Sequence, residues 1–410
     1  MEYGKLNIQV LSNNDNRPIS GATVRIVTQN EPEQTIEEAQ TNTQGQLNGI
    51  ELEAPPVEYS MDPSGNKPYS EYTLFISAPG FETIEISGAE IFSGETAIQN
   101  ANLLPTAEGK PGSAELFVIP DHTLWGDYPP KIAEDEIKTV EGTGEIVLSE
   151  VVIPEYVVVH DGPPSDRNAK NYYVRYRDYI KNVASSEIYS TWPEATIQAN
   201  VLAIQSFTLN RVYTEWYRNK GYEFTITTST AYDHKWIPNR NIFDSISQVV
   251  DEIFNNYLSR PGIQQPILTQ YCDGKNVSCP NWMSQWGSKS LGDQGYSAID
   301  ILRNYYGNSI YINETDEISG IPSSYPGSPL RQGSSGEKVR QMQQQLNVIS
   351  DAYPLIPKLA VDGVFGPATE EAVRTFQNIF GLTADGIVGF KTWYKISQIY
   401  VGVSRIAELV

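Results

Sequence analysis

Three histidines, two cysteines and an excess of carboxylates set the range of chemistry open to this 410-residue chain. His122, His160 and His234 lie far apart, and no H-E-x-x-H pair is present. A zinc hydrolase ordinarily needs two or three histidine ligands, so neither a metal centre nor another cofactor is expected. Cys272 and Cys279 are spaced for a small disulfide loop in an oxidising setting. Free thiols, a zinc site joined by His160 or His234, and a thiol nucleophile are the alternatives there. Carboxylates remain. Apolar surroundings favour the neutral form of a carboxyl, which can donate a proton to a leaving oxygen and later take one back. Glu187, with Val183, Ala184, Ile188 and Trp192 nearby, is the first candidate for that work. A glutamate so placed is also a common surface or capping residue. Asp233 and Asp273 are weaker acid candidates.

The elements that would position these groups fall into several domains, as the length requires. Hydrophobic residues make up 40% of the chain and charged residues 19%, enough for sizeable cores. No apolar run reaches 18 residues, so no membrane span is expected. Met1-Glu2-Tyr3-Gly4-Lys5 does not begin an ordinary signal peptide. The net charge of −21 argues against a nucleic-acid partner. That charge is uneven. Residues 1–150 hold 25 acidic and 7 basic side chains, whereas residues 151–410 hold 25 and 22.

Residues 1–105 read as short strands. Leu6-Asn7-Ile8-Gln9-Val10 alternates with period two, and Ala22–Val27, Thr73–Ile76 and Thr83–Ile86 follow Gly- and Pro-containing turns. An all-β sandwich is predicted. Residues 106–150 read as a loose, acidic and exposed connection that a protease could reach. Residues 151–318 mix strands with helices. One helix is expected from Tyr173 to Ala184, one from a Thr191-Trp192-Pro193-Glu194 capping box to about Lys220, one over Phe243–Leu258 and one over Ser297–Tyr306. Residues 319–328 have linker composition, and residues 329–410 read as a small all-α module with helices over Lys338–Leu346, Glu370–Phe380 and Lys391–Ile399.

Three resemblances sharpen this. Arg17-Pro18-Ile19-Ser20-Gly21-Ala22, Asn42-Thr43-Gln44-Gly45 and Ala78-Pro79-Gly80-Phe81 resemble carboxypeptidase-regulatory-like sandwiches, a likeness of fold only. Leu330–Arg340, Gln344–Asn347, Val361-Asp362-Gly363-Val364-Phe365-Gly366-Pro367-Ala368-Thr369 and Gly381–Trp393 resemble the type-1 peptidoglycan-binding domain of cell-wall hydrolases. There, Asp362, Phe365 and Asp385 are as much turn and packing residues as ligand contacts. Tyr179–Ile188, Trp192–Thr208 and Trp282-Met283-Ser284-Gln285-Trp286-Gly287-Ser288 resemble the stage II sporulation protein D family of lytic transglycosylases and amidase-enhancing proteins. Where that family often has a His-containing Gly-rich stretch, this chain has Ser278-Cys279-Pro280-Asn281.

The last resemblance implies an α+β catalytic domain with Glu187 as acid and base. Beside it, the hydroxyls of Tyr271 and Ser284 and the amide of Gln285 are candidates to hold sugar groups, and Trp286 and Trp282 are candidates to stack on sugar rings. Loop hydrogen bonding and core packing are the plain alternatives for these five. The combined order of domains resembles the clostridial spore cortex-lytic enzymes. It implies a zymogen cut near Glu150, Val151 and Val152 by a germination protease. It also implies cortex peptidoglycan as substrate and a place in the spore outside its core. A non-catalytic wall binder that activates a separate amidase, and a purely structural wall protein, are the alternatives.

Overall fold

The computed structural model describes residues 2–13, 16–29, 31–63, 65–106, 114–126, 128–138, 148, 150–315, 318, 326 and 328–404. The N-terminal part is a sandwich of two sheets. One is formed by β1 (Glu2–Ser12), β4 (Gln46–Ala54) and β7 (Thr96–Leu103), with β1 central. The other runs β3 (Glu31–Gln40), β2 (Thr23–Thr28), β5 (Ser70–Ser77), β6 (Thr83–Ile91) and β8 (Ala114–Val118). Alternation decides which face is inside: Leu6, Ile8 and Val10 of β1 and Leu74 and Ile76 of β5 are buried.

The segment expected to be a loose connection is, where it is described, partly ordered and partly buried, although Leu116, Val118, Ile132 and Glu150 are exposed. β8 lies parallel to β6. Gly88, at φ +92°, permits the join, because a Cβ there would sit 2.4 Å from the Ile119 carbonyl oxygen. Beyond β8 the described residues 119–126 and 128–138 run as an irregular strap against the central part. Ile119, His122, Thr123, Leu124, Tyr128, Lys131 and Lys138 are all buried. Its acidic residues suggested solvent, but basic partners elsewhere meet them. Residues 139–147 and 149, beside the expected processing point, lie outside the described residues.

The central part begins with β9 (Tyr156–His160) and β10 (Asn171–Arg175), an antiparallel pair that leads into α1 (Tyr176–Glu187). α2 (Glu194–Tyr213) is the hub: from Ala199 to Arg211 every residue is buried. Later elements surround it: β11 (Ile226–Thr227), β12 (Ile242–Phe243), α3 (Asp244–Ile253), β13 (Asn256–Ser259), β14 (Tyr271–Cys272), β15 (Met283–Ser284), α4 (Gln285–Asp293), α5 (Ala298–Tyr306) and β16 (Tyr311–Glu314). α2 packs on α1, α3, α4, α5 and β13. Three sequence expectations need correction. Thr191 does not cap α2, since its hydroxyl donates to Ser60 Oγ of the sandwich at 2.7 Å. α2 stops at Tyr213, and only a short 3₁₀ turn follows over Arg218–Lys220. The helix expected over Phe243–Leu258 is strand, helix and strand, because Ile242–Phe243 pairs with β7 and Asn256–Ser259 with β16.

Most of the expected linker, residues 319–325 and 327, lies outside the described residues. The C-terminal part holds α6 (Glu337–Ala352), α7 (Pro367–Ile379) and α8 (Phe390–Ser404). It contains one hydrogen-bond unit twice. Gln343 Nε2 donates to Asp362 Oδ1 and the Val364 carbonyl, and its Oε1 accepts from Gly363 N–H at 2.8 Å. Gln377 repeats this with Asp385, Ile387 and Gly386. Asp362 and Asp385 thus tie down their own turns, and Phe365 is core. α8 rests on the central part, where Arg177 Nη2 donates to the Tyr394 carbonyl at 2.9 Å and Lys391 pairs with Glu252.

Candidate active site

Glu187 is the last residue of α1 and is fully buried. Its Oε1 accepts the Lys235 backbone N–H at 2.8 Å. Gln285, the first residue of α4, donates Nε2 to the Glu187 carbonyl at 2.9 Å and to Oε2 at 3.3 Å. A helix end, a loop and a helix start therefore fix one carboxyl group. The neighbouring groups have spare capacity. Gln285 Oε1 and the hydroxyls of Tyr271 and Tyr128 have no hydrogen-bond partner among the described residues. Burial, and next the Glu187 charge, push the Tyr271 and Tyr128 hydroxyls well above their ordinary pKa, so both stay protonated donors. The Tyr271 ring stacks on His234, centroids 5.8 Å apart. His234 is held well below its ordinary pKa by burial, with Lys131 and Arg211 adding to the effect, so it is neutral. The Tyr179 hydroxyl lies 3.1 Å from its Nδ1.

The other carboxylates have no such freedom. Asp233 receives Arg211 Nε at 2.8 Å, the Tyr217 hydroxyl at 2.6 Å and both donors of Thr227. Asp273 accepts the N–H groups of Asn276 and Val277 and so closes the turn after β14. Both are bound into the architecture. A signal for this was present in the sequence of Asp273, followed by Gly274 in a loop rich in Asn and Ser.

The remaining sequence candidates divide. Tyr271 and Gln285 come together at Glu187. Ser284 instead caps α4, accepting from Gly287 N–H at 2.9 Å. Trp286 is half-buried, 5.0 Å from Trp192 and 5.9 Å from Tyr189 between ring centroids, and its Nε1 has no partner among the described residues. Trp282 is half-buried. Cys272 and Cys279 are joined by a disulfide that closes the loop beside the site. Glu150 is exposed, but Val151 is buried, Val152 half-buried, and the Val151 carbonyl accepts from Thr315 Oγ1 at 2.7 Å. His122 and His160 stand elsewhere. His122 Nε2 lies 3.3 Å from the Ile188 carbonyl, and His160 Nδ1 lies 2.8 Å from Asn171 Oδ1. Among the described residues no group of three or more His, Cys, Asp or Glu is arranged to hold a metal ion, and no helix is long and apolar enough to cross a membrane.

Sequence reasoning missed Tyr128 and Lys131, which the strap brings to this site. Lys131 Nζ lies 4.9 Å above the centre of the Tyr271 ring and donates to the carbonyls of Thr230 and Asp233. No local signal marks them, because the contact joins positions some 50–140 residues apart.

Residues 335–396 match the family described as peptidoglycan binding domain. The zinc D-Ala-D-Ala carboxypeptidase of Streptomyces albus G is 51% identical over 85 residues, 20% of this chain and 32% of that protein. The autolytic lysozyme of Clostridium acetobutylicum is 31% identical over 176 residues, 38% of this chain and 51% of that protein. The spore cortex-lytic enzyme of Bacillus cereus is 33% identical over 94 residues, 23% of this chain and 34% of that protein. The chain thus spans only about a third to a half of the length of these curated relatives.

Proposed function

We propose that this chain is the precursor of a peptidoglycan lytic transglycosylase of the clostridial SleC type, acting on spore cortex, with Glu187 as both acid and base. The observation that carries the reading is the single carboxyl group of Glu187, fixed by Lys235 N–H and Gln285 and faced by unpartnered hydroxyl and amide groups. The peptidoglycan-binding match supplies the substrate class.

The chemistry needs only one such group. Protonated Glu187 gives its proton to the oxygen of the β-1,4 bond between the muramyl and glucosaminyl sugars, and the bond from that oxygen to the muramyl anomeric carbon breaks. The glucosaminyl product leaves with that proton as a hydroxyl. The Glu187 carboxylate then removes the proton of the muramyl 6-hydroxyl, whose oxygen closes on the anomeric carbon. Glu187 ends protonated, ready for another turn. No water is consumed, and a 1,6-anhydro end results. A water-activating second carboxylate is not required, which suits a site where Asp233 already accepts four hydrogen bonds and Asp273 closes its own turn. Gln285 orients Glu187, while Tyr271 and the free Gln285 oxygen are placed to bind sugar hydroxyl and N-acetyl groups. Activation by a germination protease that cuts near residue 150 completes the proposal, since Glu187 is closed to solvent in the intact chain.

The test is digestion of purified cortex with residues 151–410, freed from the N-terminal part, with and without Glu187→Gln. Fragments one water lighter than hydrolysis products, made only when Glu187 is present, are the expected result. Hydrated reducing ends would replace the reading with a hydrolase. Wall binding with no glycan cleavage by either form would leave the amidase activator.

A further inference from the structure

The strap crosses Glu187 from one side to the other. Thr123 Oγ1 donates to the Ser186 carbonyl at 2.7 Å, and His122 Nε2 lies against the Ile188 carbonyl, so the residues flanking Glu187 are both engaged. Tyr128, buried near enough to feel the Glu187 charge, and Lys131, over the Tyr271 ring, follow. Further on, Ile132 N–H donates to the Ala231 carbonyl at 2.7 Å and Glu134 N–H to Gln270 Oε1 at 2.9 Å. Glu134 also takes both terminal nitrogens of Arg211, at 2.6 and 3.0 Å.

The sandwich holds the same partner by separate means. β12 of the central part adds itself antiparallel to the edge of β7. Arg240, itself fastened to the Ser185 carbonyl, meets Glu90 through two hydrogen bonds, at 3.1 and 2.5 Å, with both side chains wholly buried. Asn241 makes two more bonds to the Glu90 backbone. Trp192 Nε1 donates to the Ser60 carbonyl at 2.9 Å. Phe92 packs on Tyr189 and Phe243, at 5.3 and 5.2 Å between ring centroids. None of these contacts passes through the peptide bonds between residues 138 and 151.

We infer that a cut in that interval does not by itself open the site. Residues 2–138 remain on the cut enzyme as a non-covalent inhibitor, and Glu187 becomes accessible only when that fragment leaves. The central face built from Trp192, Arg240, Asn241 and β12 is the binding site for this partner, and Tyr128 with Lys131 forms its plug. The plug leaves the hydroxyls of Tyr128 and Tyr271 and the Gln285 oxygen unsatisfied. A glycan strand can satisfy the groups on the enzyme side, so substrate competes with the fragment for the site. The inference rests on the proposed role of Glu187 only for its consequence in catalysis.

The test uses the full chain carrying a site-specific protease sequence between residues 139 and 147. After cutting, three readouts are taken at micromolar protein: co-elution of the two fragments, carbodiimide labelling of Glu187 followed by peptide mass, and product release from cortex. Co-elution, protected Glu187 and little product are expected. Glu90→Gln breaks a buried ion pair and should weaken the fragment's affinity about a hundredfold, with labelling and activity rising as it departs. Tyr128→Gly with Lys131→Ala should leave the fragments together yet label Glu187 at least tenfold faster. Spontaneous separation of the unaltered fragments, or full labelling while they co-elute, would overturn the inference. Labelling of Glu187 without glycan products would leave the inference standing and sink the lytic reading.

Discussion

Replacing Glu134 by Gln tests how the strap is held. Burial alone would raise the pKa of Glu134, but hydrogen bonds and charge from Arg211, and then from Lys138, bring it down from 4.5 to about 2. A carboxylate so depressed contributes about 3 kcal/mol at neutral pH. The sign follows from proton uptake: the docked state holds the ionised form, so the contribution is complete above pH 4.5 and is lost as pH falls from 4.5 toward 2. Glu134→Gln removes the same charge at every pH. Three strap amides report the result, because Ile132, Glu134 and Lys138 each donate N–H to the central part. Hydrogen exchange followed by mass spectrometry at pH 7 should show these amides opening roughly a hundredfold more often in the variant, since each 1.4 kcal/mol is tenfold. Amides of β5 should not change. After correction for intrinsic exchange, the gap should narrow at pH 3. An increase below threefold at pH 7, or a gap that persists unchanged at pH 3, would refute the assignment of the strap's hold to this carboxylate.

Two further outcomes follow from close contacts. Gly274→Ala should lower glycan cleavage by at least tenfold with little loss of overall stability, since its Cβ would fall 1.9 Å from Ser284 Oγ at φ +75° and disturb the start of α4 that carries Gln285; muropeptide yield and thermal melting check the two halves. Gln343→Leu and Gln377→Leu should each destabilise the C-terminal part by about 2 kcal/mol and by similar amounts, because each leaves a buried glycine N–H, that of Gly363 or Gly386, without its acceptor; urea unfolding and binding to insoluble peptidoglycan would measure this.

What could be read from the sequence was local. Alternation in β1, the Asp-Gly turns at Asp362 and Asp385, and the helix over Ala298–Tyr306 depend on neighbours within a few residues, and there pattern and structure correspond. Misreadings arose where a distant partner outweighed a local preference. Thr191 has the position of a helix cap, yet Ser60 offers its hydroxyl another bond. Phe243 and Leu258 look helical at their spacing, yet each is claimed by a strand, β7 in one case and β16 in the other. Glu187 is singled out in the sequence by its apolar neighbours and the motif around it. Tyr128 and Lys131 could not be, since only the tertiary path of the strap brings them there.

The charge imbalance gains a physical meaning from the same path. Three ion pairs cross between residues 2–138 and the central part among the described residues: Glu90 with Arg240, Glu134 with Arg211, and Glu136 with Arg260. In each, the acid lies on the N-terminal side and the base on the central side. The acidity of residues 1–150 is therefore not only a solubilising coat, because part of it is complementary to the surface it covers. Arg211 keeps Asp233 when the strap departs, but Arg240 and Arg260 each lose the carboxylate that paired with them. On the release inferred above, these cationic groups and the Glu187 site would be uncovered in one event. Peptidoglycan carries carboxylates on its peptide stems, so under the proposed function a surface freed of this acidic cover would be better matched to that polymer.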